Sequence, residues 1–190
     1  MTMGRTILAS LFAAGIFASP ASAQERDADN PLEPGLWEAN LSASAAYQNF
    51  DSGGERFEIG GTASLGYFLT EWFELGGEIS YIFSELDLPT SETQTTSLLA
   101  GPRIVINVPT GSPFVPYGIA SGGVAWAETE VNDMDVFEEV GGYWQAGGGI
   151  RIFLNEFSAL NIQVTYRQIH LNDVDMIDGI VGEAGFAVFF

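Results

Sequence analysis

Apolar and polar residues alternate with a period of two along most of the chain beyond residue 35. Between Leu36 and Gln48, for example, the odd positions are apolar and most even positions are polar. Successive side chains of a β-strand point to opposite faces of the sheet, so this period predicts strands with two different faces. The fifth predicted strand is rich in glycine, and its phase is ambiguous. The predicted strands span about residues 36–48, 56–69, 72–84, 95–107, 115–127, 142–154, 159–169 and 179–190.

The connections between these strands alternate in kind. The connections after the second, fourth and sixth strands are short or turn-like. The connections after the first, third, fifth and seventh strands are mostly longer and acidic. Short periplasmic turns and longer external loops are typical of bacterial membrane barrels, in which about 9–11 residues of a strand cross the membrane. The sequence therefore predicts an all-β protein, an eight-stranded antiparallel up-and-down transmembrane β-barrel. The predicted external loops are residues 49–55, 85–94, 128–139 and 170–178.

The first residues have the features of a secretory signal. Arg5 precedes a short apolar run from Ile7 to Phe17, and Ala21-Ser22-Ala23 forms a small-residue cleavage box. No later stretch is apolar for the ~18 residues that a membrane helix needs, so a membrane-spanning form must be a closed barrel without sheet edges. The predicted organisation is a cleaved signal peptide at 1–23, a periplasmic lead-in at 24–34 and an outer-membrane barrel at 35–190.

The apolar face of the strands is predicted to meet lipid. Aromatic residues on this face cluster near the strand ends, as they do in the interfacial girdles of membrane barrels. Several glycines lie on the polar face, which suits a narrow lumen. The alternative is a soluble, lipocalin-like barrel with its apolar face inward around a ligand. The aromatic residues in question are Trp37, Tyr47, Phe73, Tyr81, Trp144, Tyr166 and Phe190.

The polar face also carries charges of both signs. Four of the six Arg residues lie on it with five Glu residues, so its charge is nearly balanced in a very acidic chain. An unpaired charge in a narrow interior is costly, and we therefore expect an ion-pair network that fills the lumen. The predicted network consists of Glu38, Arg56, Glu58, Glu74, Glu78, Arg103, Arg151, Arg167 and Glu183.

The last strand ends in a pattern that resembles the assembly signal of outer-membrane barrels. In the terminal sequence Gly-Phe-Ala-Val-Phe-Phe, Phe186, Val188 and Phe190 share one face and an aromatic residue comes last. This pattern argues against the soluble barrel. Three internal motifs accompany it: Leu-Ala-Gly-Pro-Arg at 99–103, Pro-Tyr-Gly-Ile-Ala-Ser-Gly-Gly at 116–123 and Ala-Gly-Gly-Gly-Ile-Arg at 146–151.

With these motifs in this order, the segment 35–190 resembles the small outer-membrane β-barrel domain family, the porin-like eight-stranded proteins of the OmpA/OmpX type. The resemblance implies a protein of the Gram-negative outer membrane. Its implied partners are outer-membrane lipid, lipopolysaccharide and the barrel-assembly machinery. The family does not define the function, because this scaffold serves adhesion, envelope integrity and some lipid enzymes.

Charge and composition exclude several classes of function. The 190 residues contain 25 acids and 6 bases, all Arg; without Arg5, five bases oppose 25 acids and the net charge is −20. Such acidity repels nucleic acid, so no nucleic-acid partner is expected. The chain has no Cys, and therefore no disulfide and no thiolate nucleophile or ligand. We predict no cofactor.

The predicted loops contain closely spaced carboxylates. Asp133 with Asp135, and Asp173 with Asp175, offer oxygen ligands of the kind that hard cations prefer, but this spacing is common by chance. We therefore predict no defined metal site. Dense like charge in 128–139 instead predicts extended loops that bind divalent cations weakly and bridge them to lipid phosphate.

The only histidine, His170, lies where the seventh strand meets a loop. Small barrels that deacylate lipid A resemble this layout but carry a Ser two residues after the His, where this chain has Asn172. Without an activated nucleophile there is no acyl-enzyme route. We predict a non-enzymatic outer-membrane protein with a role in envelope structure or surface interaction. The alternatives are a lipid-A-modifying enzyme, if a hydroxyl meets His170 in space, and a narrow small-solute channel.

Overall fold

The computed structural model describes residues 32–49, 55–88, 91–131, 135–171 and 177–190. Within them the strands are β1 (Trp37–Asn49), β2 (Glu55–Thr70), β3 (Phe73–Leu88), β4 (Ser91–Asn107), β5 (Phe114–Val131), β6 (Asp135–Asn155), β7 (Ser158–Leu171) and β8 (Ile177–Phe189). Each strand pairs with the next in antiparallel order, and β8 pairs with β1 to close the barrel. The predicted fold class is confirmed. This described part of the chain contains no helix that is long and apolar enough to span a membrane.

The strands extend further at the external end than the sequence pattern predicts. β5 and β6 stay paired as far as Val131 and Asp135, so the prediction of a loop over 128–139 is wrong for most of its length. β-Branched residues favour this extension, and the hydroxyls of Thr95 and Thr129 lie 3.2 Å apart across β4 and β5. The residues that connect the strands at this external end, 50–54, 89–90, 132–134 and 172–176, lie outside the described ranges.

A proline interrupts the ladder between β4 and β5. Pro102 has no amide hydrogen, and in a closed barrel it predicts a bulge or a local kink. Pairing lapses at this point, yet the register is the same on both sides, with Ala100 opposite Val124 and Arg103 opposite Ser121. Of the two expected irregularities, the bulge is therefore wrong, and what the structure shows is a local break in the pairing. Because the register is preserved, Arg103 keeps the inward phase of its strand.

The apolar face of the strands lies outside the barrel. Trp37 and Trp144 on this face are 42% and 43% exposed, as lipid-facing girdle residues would be. The structure also defines the phase of β5, since Tyr117 is buried inside and Trp126 is exposed outside. The side chain of Tyr47 lies outside the described part of the chain.

The segment that enters β1 closes the periplasmic end of the lumen. Gly35 has φ +95°, which glycine tolerates, and its amide donates to Phe68 O at 2.8 Å. The amide of Phe68 donates in turn to Leu36 O at 2.9 Å. This turn buries Leu32 and Leu36 in one apolar cluster with Phe68 and Phe189. Leu32 and Leu36, ahead of the first strand, therefore form part of the barrel interior.

Candidate functional site

The lumen holds charged side chains in two clusters. The cluster nearer the periplasm combines two Glu from β1 and β3 with two Arg from β4 and β6. Glu74 accepts hydrogen bonds from Arg103 Nη2 at 3.1 Å and Arg151 Nη2 at 3.5 Å. Glu38 pairs directly with Arg151 and lies 3.9 Å from Arg103 Nη2. None of these side chains is more than 6% exposed, so each buried charge has a counter-charge, which limits the cost of desolvation.

Arg151 lies at the centre of this cluster. Its Nη1 donates to Asn107 Oδ1 at 2.9 Å, and its Nε donates to Asn161 Oδ1 at 3.3 Å. The guanidinium also lies 5.6 Å from the ring centre of Phe68 and 5.3 Å from that of Phe189, within the range of a cation–π interaction. Arg151 therefore connects the ion pairs to the apolar base of the barrel.

The second cluster lies nearer the external end and is centred on Arg167. Its Nη1 donates to Glu58 Oε1 at 2.9 Å, and its Nη2 donates to Glu183 Oε1 at 3.2 Å. Its Nε donates to Gln145 Oε1 at 3.1 Å. Arg56 Nη2 reaches Glu58 Oε2 at 3.2 Å. Here two Arg meet two Glu, and the charges balance.

Glu78 lies between the clusters and has a different environment. Its Oε1 accepts hydrogen bonds from Ser121 Oγ at 2.6 Å, Gln145 Nε2 at 2.7 Å and Tyr143 OH at 3.2 Å. All three donors are neutral. The ion pairs among the described residues do not include Glu78. The structure therefore places this member of the predicted network in the lumen but outside the ion pairs.

Two apolar layers inside the barrel escape the sequence analysis. One is the base around Phe68 and Phe189, and the other lies toward the external end. The signal that reveals them is the alternation itself. Phe153, in the base, comes two residues after Arg151, and Ile169, in the external layer, comes two residues after Arg167, so each shares the inward phase of a lumen Arg. The external layer consists of Ile82, Leu99, Ala125, Ala127, Tyr143, Ile169 and Leu171.

The three residues of the predicted assembly signal lie on the outward phase of β8. Phe186 and Phe190 are each 45% exposed, and Val188 lies between them in partial burial. The backbone of Phe190 exchanges two hydrogen bonds with Trp37, at 2.9 and 3.0 Å. The last residue therefore completes the seam between β8 and β1, and its role in assembly stays a prediction.

The candidates for catalysis and metal binding do not converge on a site. His170 is exposed at the external end of β7, opposite Gly142, and no described side chain hydrogen-bonds to its ring. Asp133, Asp173 and Asp175 lie outside the described residues. In the described ranges, no group of three or more His, Asp or Glu side chains is placed to hold a metal ion.

Comparisons with known proteins agree with this architecture. A family model described as "Outer membrane protein beta-barrel domain" matches residues 9–186. No curated protein sequence matches the chain.

Similar solved structures include Neisserial surface protein A (NspA), with a TM-score of 0.63 and 17% sequence identity over 82% of this chain and 99% of that one. Ail, the attachment invasion locus protein of Yersinia pestis, in complex with the heparin analogue sucrose octasulfate, has a TM-score of 0.54 and 10% identity over 83% of this chain and 99% of that one. At these identities the similarity shows a shared fold.

Proposed function

Because the chain belongs to the outer membrane protein β-barrel domain family and is thus an outer-membrane protein, we propose that it acts without catalysis, in envelope structure or surface interaction. The observation that carries this proposal is the filled lumen. Two charged clusters occupy its middle, and apolar layers lie toward both ends. Eight strands leave an interior just wide enough for side chains, so the lumen has room for neither a pore nor a substrate.

Planar-bilayer recording tests the filled lumen. We expect no steady conductance from the refolded protein, because the side chains that would line a pore are engaged with one another. Heat-modifiable migration of the same sample on a gel provides the control that folded barrel was present. A stable current of porin size would contradict the proposal and favour the small-solute channel.

The alternative of a lipid-A-modifying enzyme depends on His170. Acyl transfer would need a nucleophile within hydrogen-bond reach of this ring, and the described residues supply none. Mass spectra of lipid A from cells with and without the protein should therefore show the same acyl chains. Loss of an acyl chain that disappears again in His170→Ala would establish an enzyme.

We also propose that the acidic external end associates with lipopolysaccharide through divalent cations. Glu128, Glu130 and Glu138 are exposed there, whereas the Arg residues of the described segments all lie in the lumen. Carboxylate oxygens suit hard cations, which can bridge them to lipid phosphate. A polyanion such as the sulfated ligand of Ail has the wrong charge for this surface.

Secretion with removal of residues 1–23 is part of the proposal, although that segment lies outside the described residues. The Ala-Ser-Ala box supports cleavage after Ala23. Mass spectrometry of protein from the outer-membrane fraction should find a chain that begins at Gln24. A membrane-inserted protein that retains Met1 would contradict the cleavage.

A further inference from the structure

A groove crosses the outer wall of the barrel near its external end, from β3 to β6. It has a volume of about 290 Å³, and its floor is a row of apolar and aromatic side chains. Tyr81, Leu98, Trp126 and Val140 lie opposite one another in register along this row. All four are exposed on the lipid-facing side. The floor therefore suits a hydrocarbon chain.

The external edge of the groove carries a pair of carboxylates. Glu128 and Glu138 line it and lie directly opposite each other on β5 and β6. Directly opposed residues have Cβ atoms about 4.5–5.5 Å apart, and like charges in that position are destabilising. The described Arg side chains are engaged inside the barrel, so they do not neutralise this pair. The protein thus leaves a concentrated negative charge beside an apolar floor.

We propose that this groove binds a lipid-like amphiphile with an ammonium headgroup. Its hydrocarbon chain lies on the row from Tyr81 to Val140, and its ammonium lies between Glu128 and Glu138. The carboxylates accept charge-assisted hydrogen bonds from the ammonium, and Trp126, two residues before Glu128 on the same face of β5, contributes an aromatic ring to the same lining. The hydroxyl of Thr96, opposite Glu128, lies in the same lining. Any lipid chain suits the floor, so the headgroup charge provides the selectivity.

A second aromatic position on the outer wall shows why this groove differs. Trp144 is 43% exposed, as is Trp126, but its Nε1 donates to Gln168 Oε1 at 2.8 Å. Gln168 Nε2 donates in turn to Tyr166 OH at 2.9 Å. The indole of Trp126 has no such partner among the described residues. Trp144 therefore provides a control site of equal exposure whose indole is already satisfied within the protein.

Fluorescence quenching by brominated alkyl chains tests the proposal. A protein with Trp126 as its only tryptophan (Trp37→Phe, Trp72→Phe, Trp144→Phe) is folded in maltoside micelles at 0.15 M salt, which screens distant charges. Three quenchers of equal chain length are compared, with ammonium, maltoside or sulfate heads. The ammonium chain should quench Trp126 at about fivefold lower mole fraction than the maltoside chain. A protein with Trp144 alone should show no such preference.

The double variant Glu128→Gln, Glu138→Gln should abolish the preference while migrating as a folded, heat-modifiable barrel. Equal quenching of Trp126 by all three chains would overturn the proposal. So would a preference that survives in the double variant, because the attraction would then come from the acidic end in general. Stronger quenching by the sulfate chain, only with calcium present, would also overturn the ammonium site, because Glu128 and Glu138 would then serve the divalent-cation bridge proposed above for the acidic external end.

Discussion

Buried charges in this lumen have unequal numbers of partners. Glu74 contacts two Arg, and Arg151 contacts two Glu, whereas Glu78 is held by neutral donors alone. Removing one partner of a buried pair leaves the other charge without compensation, which costs more than the pair contributes when intact. Individual substitutions in the lumen should therefore differ in effect according to how many charges they leave unpaired.

Arg151→Met should lower the free energy of unfolding by about 3–5 kcal/mol. Glu38 and Glu74 would stay buried with Arg103 as their remaining counter-charge. Urea unfolding in lipid vesicles, followed by tryptophan fluorescence, measures the change. Adding Glu38→Gln to the variant should recover part of the loss, and a single variant as stable as the natural protein would contradict the role of the ion pairs.

Glu74→Gln and Glu78→Gln form a matched pair, four residues apart on one face of β3. Glu74→Gln should destabilise by about 3–5 kcal/mol, because Arg103 and Arg151 each lose a carboxylate. Glu78→Gln should cost only about 1 kcal/mol, since its donors are neutral and an amide oxygen can accept from them. The same urea titration compares them. Equal losses of stability in the two variants would show that the ion pairs of Glu74 contribute no more than the neutral hydrogen bonds of Glu78.

At the scale of elements, β1 and β8 complete the barrel, and both termini of the described region lie at the periplasmic end of the seam between these two strands. Leu36 precedes β1 and fills the base of the lumen, whereas Phe190 follows β8 and bonds to Trp37. The seam has fewer paired positions than β5 with β6. Contacts at its periplasmic end should therefore contribute to closure.

Leu36→Ala should destabilise the barrel by about 2–5 kcal/mol, because it opens a cavity beside Phe68 and Phe189. Leu41→Ala is the matched control, since Leu41 is 42% exposed toward lipid on the adjoining strand. The loss of stability on Leu41→Ala should be smaller than that on Leu36→Ala. Unfolding midpoints in the same vesicles give both values, and a larger effect at Leu41 would contradict the closed base.

Deleting Phe190 should reduce the amount of barrel in the outer membrane. The deletion removes the aromatic end of the predicted assembly signal and two backbone hydrogen bonds to Trp37. Phe190→Ala keeps those bonds and removes only the ring. It therefore separates recognition of the aromatic residue during assembly from closure of the seam between β1 and β8. Immunoblots of the outer-membrane fraction measure assembly. Normal levels for both variants would show that the ring and the seam are dispensable.

At the scale of the whole molecule, the two signs of charge are separated. The described Arg side chains lie inside, with five Glu, and further acids lie at the external ends of the strands. Because solvent and salt screen exposed charges, each external carboxylate alone should bind a cation weakly. The external end should act as a diffuse acidic surface rather than as one tight site.

Calorimetry with calcium tests this surface on detergent-folded protein. We expect weak binding without a single stoichiometric step. The control variant changes the acids of 128–139 to Asn and Gln and should show a reduced signal. Identical isotherms would indicate that these acids bind no cation, and one tight site would show that specific ligation was underestimated. The substituted residues are Glu128, Glu130, Asp133, Asp135, Glu138 and Glu139.

The sequence by itself determined the strands and their two faces, because alternation is a local property of extended backbone. It also placed Arg151 and Glu38 on the inward face. Only the tertiary structure decided that these two meet, since they are 113 positions apart and the tilt and register of the closed barrel set which side chains share a level. For the same reason sequence could not separate Glu78 from the ion pairs. Nor could it define the phase of β5, where small residues occupy both faces.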